Sequence, residues 1–173
     1  MYSHYFKSLL ELKGFNMKHK KEFLYKGAHA MIELQTYHLQ SFYKTWQIAK
    51  AKNIRLPQTD DPDYKSFDFL LHHVLRASRN YLKWICRSLN LADPQVCEPP
   101  DLVTIEKQAS SYIEHVHEQW NLPLREIEEY IFFDRTYISN WGVEYCIDSM
   151  MEHAVMHPIR HEYQLRELLK AVE

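Results

Sequence analysis

Glycine is scarce: three residues in 173. So few exclude the tight, glycine-dependent turns of an all-β sandwich and point to helices. Cysteine is scarce too, and Cys86, Cys97 and Cys146 form no CxxC pair and leave an odd count, which fits reduced thiols rather than a disulfide framework. An excess of either charge is missing as well. The net charge of −2 gives no global basic field for a polyanion, so nucleic acid is not expected as a partner. The one basic run, Lys18–Lys21, reads as the solvated start of a helix. No apolar run approaches the ~20 residues that span a bilayer, and the N-terminus lacks the apolar core and cleavage site of a signal peptide. The chain reads as cytoplasmic, without a membrane partner.

What is present is helical periodicity, in four long segments without internal repeats. The first covers roughly residues 22–51, with Leu24, Ala28, Met31, Gln35, Leu39, Phe42, Trp46 and Ala49 recurring at 3.6-residue spacing. After the break "NIRLPQTDDPDY", Asp61 and Pro62 suit a helix cap and first turn. The second stripe then runs Phe67, Leu70, Leu71, Val74, Ser78, Tyr81, Ile85 and Leu89. The third carries Leu102, Ile105, Ala109, Tyr112, Val116 and Trp120. "EEYIFFDRTYISNWG" has no helical stripe and is rich in aromatic and β-branched residues, as in an extended connector or small hairpin. The fourth begins near Gly142 and places Val143, Cys146, Ile147, Met150, Ala154, Leu165 and Leu168 inward. These features predict an all-α fold, a four-helix bundle with a short extended or hairpin connector between helices 3 and 4, as a single domain over 1–173. Residues 1–21 form an N-terminal extension without a readable role. The order of helices around the bundle does not follow from the sequence.

Within the fourth segment, "HAVMHPIRH" sets His153, His157 and His161 four residues apart. At 100° per residue His157 lies ~40° from each neighbour, in the sector of Met150, Cys146, Ala154, Gln164 and Leu168. The imidazoles thus interrupt a core stripe, and a buried imidazole needs partners. Eleven histidines placed at random give about 0.6 i,i+4 pairs by chance, so two overlapping pairs facing inward stand out. On spacing alone, metal binding and satisfied core histidines both remain open. A metal would need a ligand from another helix. In "LLHHVL", His73 lies at the flank of the core, whereas His72 shares a solvated sector with Lys65, Asp68, Arg79 and Lys83. His38, in the first helical stripe, reads as an orienting partner or core histidine more than as a ligand. Pro158 lacks a donor for Ala154 O and crowds that carbonyl, which predicts a bend or the start of a new turn there.

"FLLHHVLRASRNYL" and "MMEHAVMHPIRHEYQLREL" together resemble the DinB/YfiT-like superfamily of metalloenzymes, whose members carry an LLxHV-like and a terminal HxxxHxxQ-like segment on a four-helix bundle. The resemblance spans roughly residues 22–171. It implies three metal ligands at His73, His157 and His161, while His153 and Gln164 match recurring positions that are not ligands. Three such imidazoles suit one divalent ion, zinc or nickel first and iron or manganese next, and the resemblance implies a metal-dependent hydrolase or thiol-dependent transferase acting on a small molecule, with a low-molecular-weight thiol as a candidate partner. Gln164, His38 and His153 are the candidates for orienting the ligands. No general base is apparent: Glu152 and Glu162 point away from the core sector, Glu33 is peripheral, and Cys146 reads as inert packing. A non-catalytic metal- or small-ligand-binding bundle is the alternative. An aromatic content of 14%, with "YIFF" in the connector, is compatible with a homodimer.

Overall fold

The computed structural model describes residues 22–172; the basic run Lys18–Lys21 and the rest of the N-terminal extension lie outside them. Among the described residues four long helices form: α1 (Lys26–Ala51), α2 (Phe67–Ser88), α3 (Ile105–Trp120) and α4 (Ile147–Lys170). The hydrophobic stripes explain them, since Ile32, Leu39, Phe42, Leu71, Val74, Ile113, Val116, Met150 and Leu165 are all fully or almost fully buried in one shared core. The all-α bundle expected from periodicity is what forms. No helix among the described residues is long and apolar enough to cross a membrane.

With so little glycine, asparagine closes helices. Asn53 and Asn90 adopt φ of 51° and 53° at the ends of α1 and α2. In each case the following N–H reaches back to the helix, Ile54 N to Ala49 O and Leu91 N to Cys86 O, the pattern of a Schellman motif. Asn serves because its short polar side chain tolerates the left-handed region.

Element boundaries shift at the starts of three helices, α1, α2 and α4. Leu24 precedes α1 and is 53% exposed, its N–H held by Arg125 O rather than by helix. Asp61 and Pro62 open a separate 3₁₀ turn, Pro62–Tyr64, in which the Asp61 side chain accepts from Asp63 N. The cap of α2 is Ser66, whose hydroxyl accepts from Phe69 N. Gly142 and Val143 lie outside α4: Gly142 takes φ 82° in a hairpin turn and Val143 is exposed. Cys146 is the N-cap of α4, its half-buried sulfur accepting from Ser149 N, instead of inert core packing. No new turn starts at Pro158, which is buried inside an unbroken α4.

α1 and α2 touch each other, and each packs against both α3 and α4, which therefore face one another across the bundle. The connector from α3 to α4 must cross the bundle, which explains its length. It holds a 3₁₀ turn, Glu129–Phe132, and a two-stranded antiparallel hairpin, β1 (Tyr137–Ile138) with β2 (Glu144–Tyr145), pairing Tyr137 with Tyr145 and Ile138 with Glu144. "YIFF" divides accordingly: Phe132 is buried, while Tyr130 and Phe133 are exposed. The hairpin docks on α2, where Trp84 Nε1 donates to Ile138 O (3.1 Å) and Arg87 donates to the side-chain oxygen of Asn140 (3.0 Å).

Candidate metal centre

α2 and α4 bring His73, His157 and His161 together, with one ring nitrogen from each within 4.8 Å of the others. The ring centroids lie 4.8 Å (His73–His157), 5.0 Å (His73–His161) and 4.8 Å (His157–His161) apart. His157 and His161 meet because residues four apart stack on one helix face.

The neighbours of each ring decide which nitrogen is bare. The His73 Nδ1–H faces Asp63 Oδ2 at 2.6 Å, which leaves Nε2 as the lone-pair nitrogen. His161 Nδ1 lies 3.1 Å from Gln164 Oε1 and 3.2 Å from the Tyr64 hydroxyl, and that hydroxyl donates its only proton to Gln164 Oε1. Both neighbours therefore accept from Nδ1–H, and the Nε2 lone pair of His161 is freed as well. His157 Nε2 sits 3.0 Å from His73 Nε2, an approach that two lone pairs make only with a proton or a cation between them. Among the described residues, His157 Nδ1 is buried without a hydrogen-bond partner.

Two ligand nitrogens on a tetrahedral zinc at 2.0–2.1 Å lie ~3.3 Å apart, close to the His73–His157 separation. The donor set fits a borderline divalent ion: three neutral imidazoles, two of them oriented by a carboxylate, an amide and a phenol. Burial holds the imidazoles neutral. His157 is pushed down to about 2 by desolvation and then by His161 and His73. His161 is pushed down to about 4 by desolvation and then by His73. His73 is also lowered by desolvation, with Asp63 opposing. Rings that stay neutral keep their lone pairs available to a metal.

Beside the histidines opens a cavity of about 230 Å³. His73 and His157 line it, together with the apolar faces of Tyr81, Trp84, Trp141 and Met150. Burial pushes the Tyr81 phenol up to about 12, so its hydroxyl stays protonated. Trp141 comes from the hairpin, so the crossing connector completes the cavity.

The remaining expected residues divide. Gln164 reaches His161 as described. His153 stands apart from the cluster, its ring stacked on Trp141 and edge-on to Tyr81 and Tyr145; Tyr81 in turn touches His157, and Trp141 lines the cavity beside it. His38 is half-buried against the Tyr37 ring and orients no ligand. Glu162 does not face solvent: it is 7% exposed and accepts from Ser41 (2.8 Å) and Thr45 (3.3 Å) of α1. Asp63 and Tyr64 were missed because they lie in a loop without periodicity. The available signal was an acidic residue in a proline-anchored turn just before the helix that carries His73. Comparison of the chain with protein-family models, with curated proteins and with solved structures gave no match.

Proposed function

We propose that this protein is a metal-dependent enzyme resembling the DinB/YfiT-like superfamily, with His73, His157 and His161 holding one divalent ion, zinc or nickel before iron or manganese. The observation that carries this reading is the convergence of three neutral imidazoles from two helices beside an open cavity. A structural zinc site is closed by four protein ligands, whereas three ligands and an approach for a guest describe a catalytic one. When bound, such an ion supplies Lewis acidity and a nucleophile at neutral pH from water or a thiol. The chain itself contributes orientation and shape. Asp63 and the Tyr64–Gln164 pair fix the rings of His73 and His161. The aromatic walls give a flat apolar surface for a small substrate, and the Tyr81 hydroxyl is a donor at the cavity. Among the described residues no carboxylate lines that cavity, which favours as a second reading a bundle that binds a metal or small ligand without turning it over.

Metal analysis of protein purified without a histidine tag tests the site, and a panel of thiols with electrophiles and of hydrolysable esters tests the chemistry. We expect about one equivalent of zinc or nickel, lost in His157→Ala, and turnover that the variant lacks. Bound metal with equal rates for both proteins would leave only the second reading. No bound metal would remove the enzyme reading and leave of the second only its small-ligand form.

A further inference from the structure

Every polar side chain lining the cavity, apart from the two histidines, presents a donor. The side-chain oxygen of Asn80 accepts from Arg79 Nη1 at 3.1 Å and that of Asn140 accepts from Arg87 Nη2 at 3.0 Å. Both amides therefore have their oxygens engaged and their NH₂ groups left to offer. Arg76 also lines the cavity. Its guanidinium is half-exposed, and its nearest carboxylate oxygen, Asp63 Oδ1, lies 4.0 Å away while Oδ2 of the same group serves His73. The Tyr81 hydroxyl forms no hydrogen bond among the described residues and lies at the same cavity. Four donors, one of them cationic, ring a space whose other walls are the rings of Trp84 and Trp141 and the thioether of Met150. Away from the two histidines, side chains that present donors favour a ligand rich in acceptors at that end, and ionised oxygens make the strongest such bonds. Flat aromatic walls select a planar body. At ~30 Å³ per water the cavity holds the equivalent of about eight waters, the size of a single substituted ring.

We propose that this cavity is a subsite for a small planar monocarboxylate, its carboxylate held by Arg76, Asn80 and Asn140 and its ring lying between Trp84 and Trp141. The subsite rests on the metal reading only for what the ligand meets at the two histidines. The carboxylate contacts are made by residues outside the histidine cluster and need no ion.

The four indole N–H groups give a local readout in ¹⁵N-resolved NMR. Trp84 and Trp141 line the cavity, while Trp46 donates to Phe67 O and Trp120 to Ser78 O elsewhere in the bundle and serve as internal controls. Benzoate titrated into the full chain, both zinc-loaded and EDTA-treated, is expected to shift the Trp84 and Trp141 signals saturably in both states. Benzyl alcohol is expected to shift the same signals at higher concentration. Arg76→Gln is expected to weaken benzoate about tenfold or more and leave benzyl alcohol unchanged, and Trp141→Ala to weaken both. Three results would each overturn the proposal: no saturable shift at Trp84 and Trp141, equal effects of Arg76→Gln on the two probes, or benzoate binding abolished by EDTA, which would put the carboxylate on the ion. Zinc stoichiometry measured on the same samples judges the metal reading separately.

Discussion

Asp63 stands 2.6 Å from His73 Nδ1 and holds the ring in the tautomer that turns Nε2 toward its neighbours. A carboxylate behind a ligating imidazole raises its basicity and removes its rotational freedom, and losing such a partner commonly lowers metal affinity 10–100-fold. We therefore expect Asp63→Ala to weaken zinc binding by about that factor, with little change in helical content, as measured by competition with a chromophoric chelator and by far-ultraviolet circular dichroism. Unaltered affinity would mean that packing alone orients His73. The three-histidine cluster was legible in the sequence, whereas this carboxylate partner was not. His157 and His161 share a helix face by spacing, and His73 flanks a core stripe by spacing. Asp63 reaches the site because a 3₁₀ turn capped by Asp61 folds the loop against α2, a matter of tertiary placement that no periodicity encodes. His38 misled for the converse reason, since lying in an apolar stripe says how deep a residue sits but not which neighbour it meets.

α4 carries two features that a helical wheel reads poorly. Glu162 lies on the α1 side of the helix, where its carboxylate accepts from Ser41 and Thr45 and pairs with Arg166. A wheel assigns a charged residue to solvent, because the hydroxyls that make its burial tolerable belong to another helix. Glu162→Ala strands those partners in an α1–α4 contact and should cost about 1–3 kcal/mol in urea denaturation. Zinc affinity should stay within about twofold, because none of these groups touches a histidine. A large fall in affinity would show that the contact also sets the register of His157 and His161. Pro158 is the other feature. An interior proline costs about 3 kcal/mol through the missing N–H and the crowded carbonyl, yet α4 runs unbroken across it. Pro158→Ala returns a donor to Ala154 O and gives up some buried ring packing, for a net gain of about 1–2 kcal/mol. A loss of stability on this substitution would mean that the packing of the ring outweighs the hydrogen bond.

Over the whole molecule, the architecture was legible because four stripes of 3.6-residue period require a shared core. The pairing of helices was not, because each stripe is compatible with any neighbour; the observed arrangement depends on a connector long enough to cross between α3 and α4. That crossing also brings Trp141 and Asn140 to the cavity, so the site is completed by the segment with the weakest sequence pattern. A global consequence of burying the histidines concerns pH. In the unfolded chain His73, His157 and His161 titrate near 6.5, whereas in the folded protein burial lowers all three, His161 to about 4 and His157 to about 2. Above pH 6.5 the rings are neutral in both states and contribute no slope. As pH falls through 6.5 the unfolded chain takes up protons that the folded protein refuses, so stability is lost on acidification, down towards the folded values. Each such histidine contributes about 1.4 kcal/mol per pH unit once its unfolded form is fully protonated. Asp93 and Asp101 start from 3.8 and are lowered further, so their effect falls below this window. Metal-free protein is accordingly expected to lose stability steeply between pH 6.5 and 4 in urea titrations, and His157→Asn to lose it with a slope about one proton shallower. Zinc, which binds only the neutral rings, should shift the onset of this loss to lower pH. A stability flat between pH 6.5 and 4 would mean that the three imidazoles accept protons in the folded state, and with them would go the neutral, buried donor set on which metal binding depends.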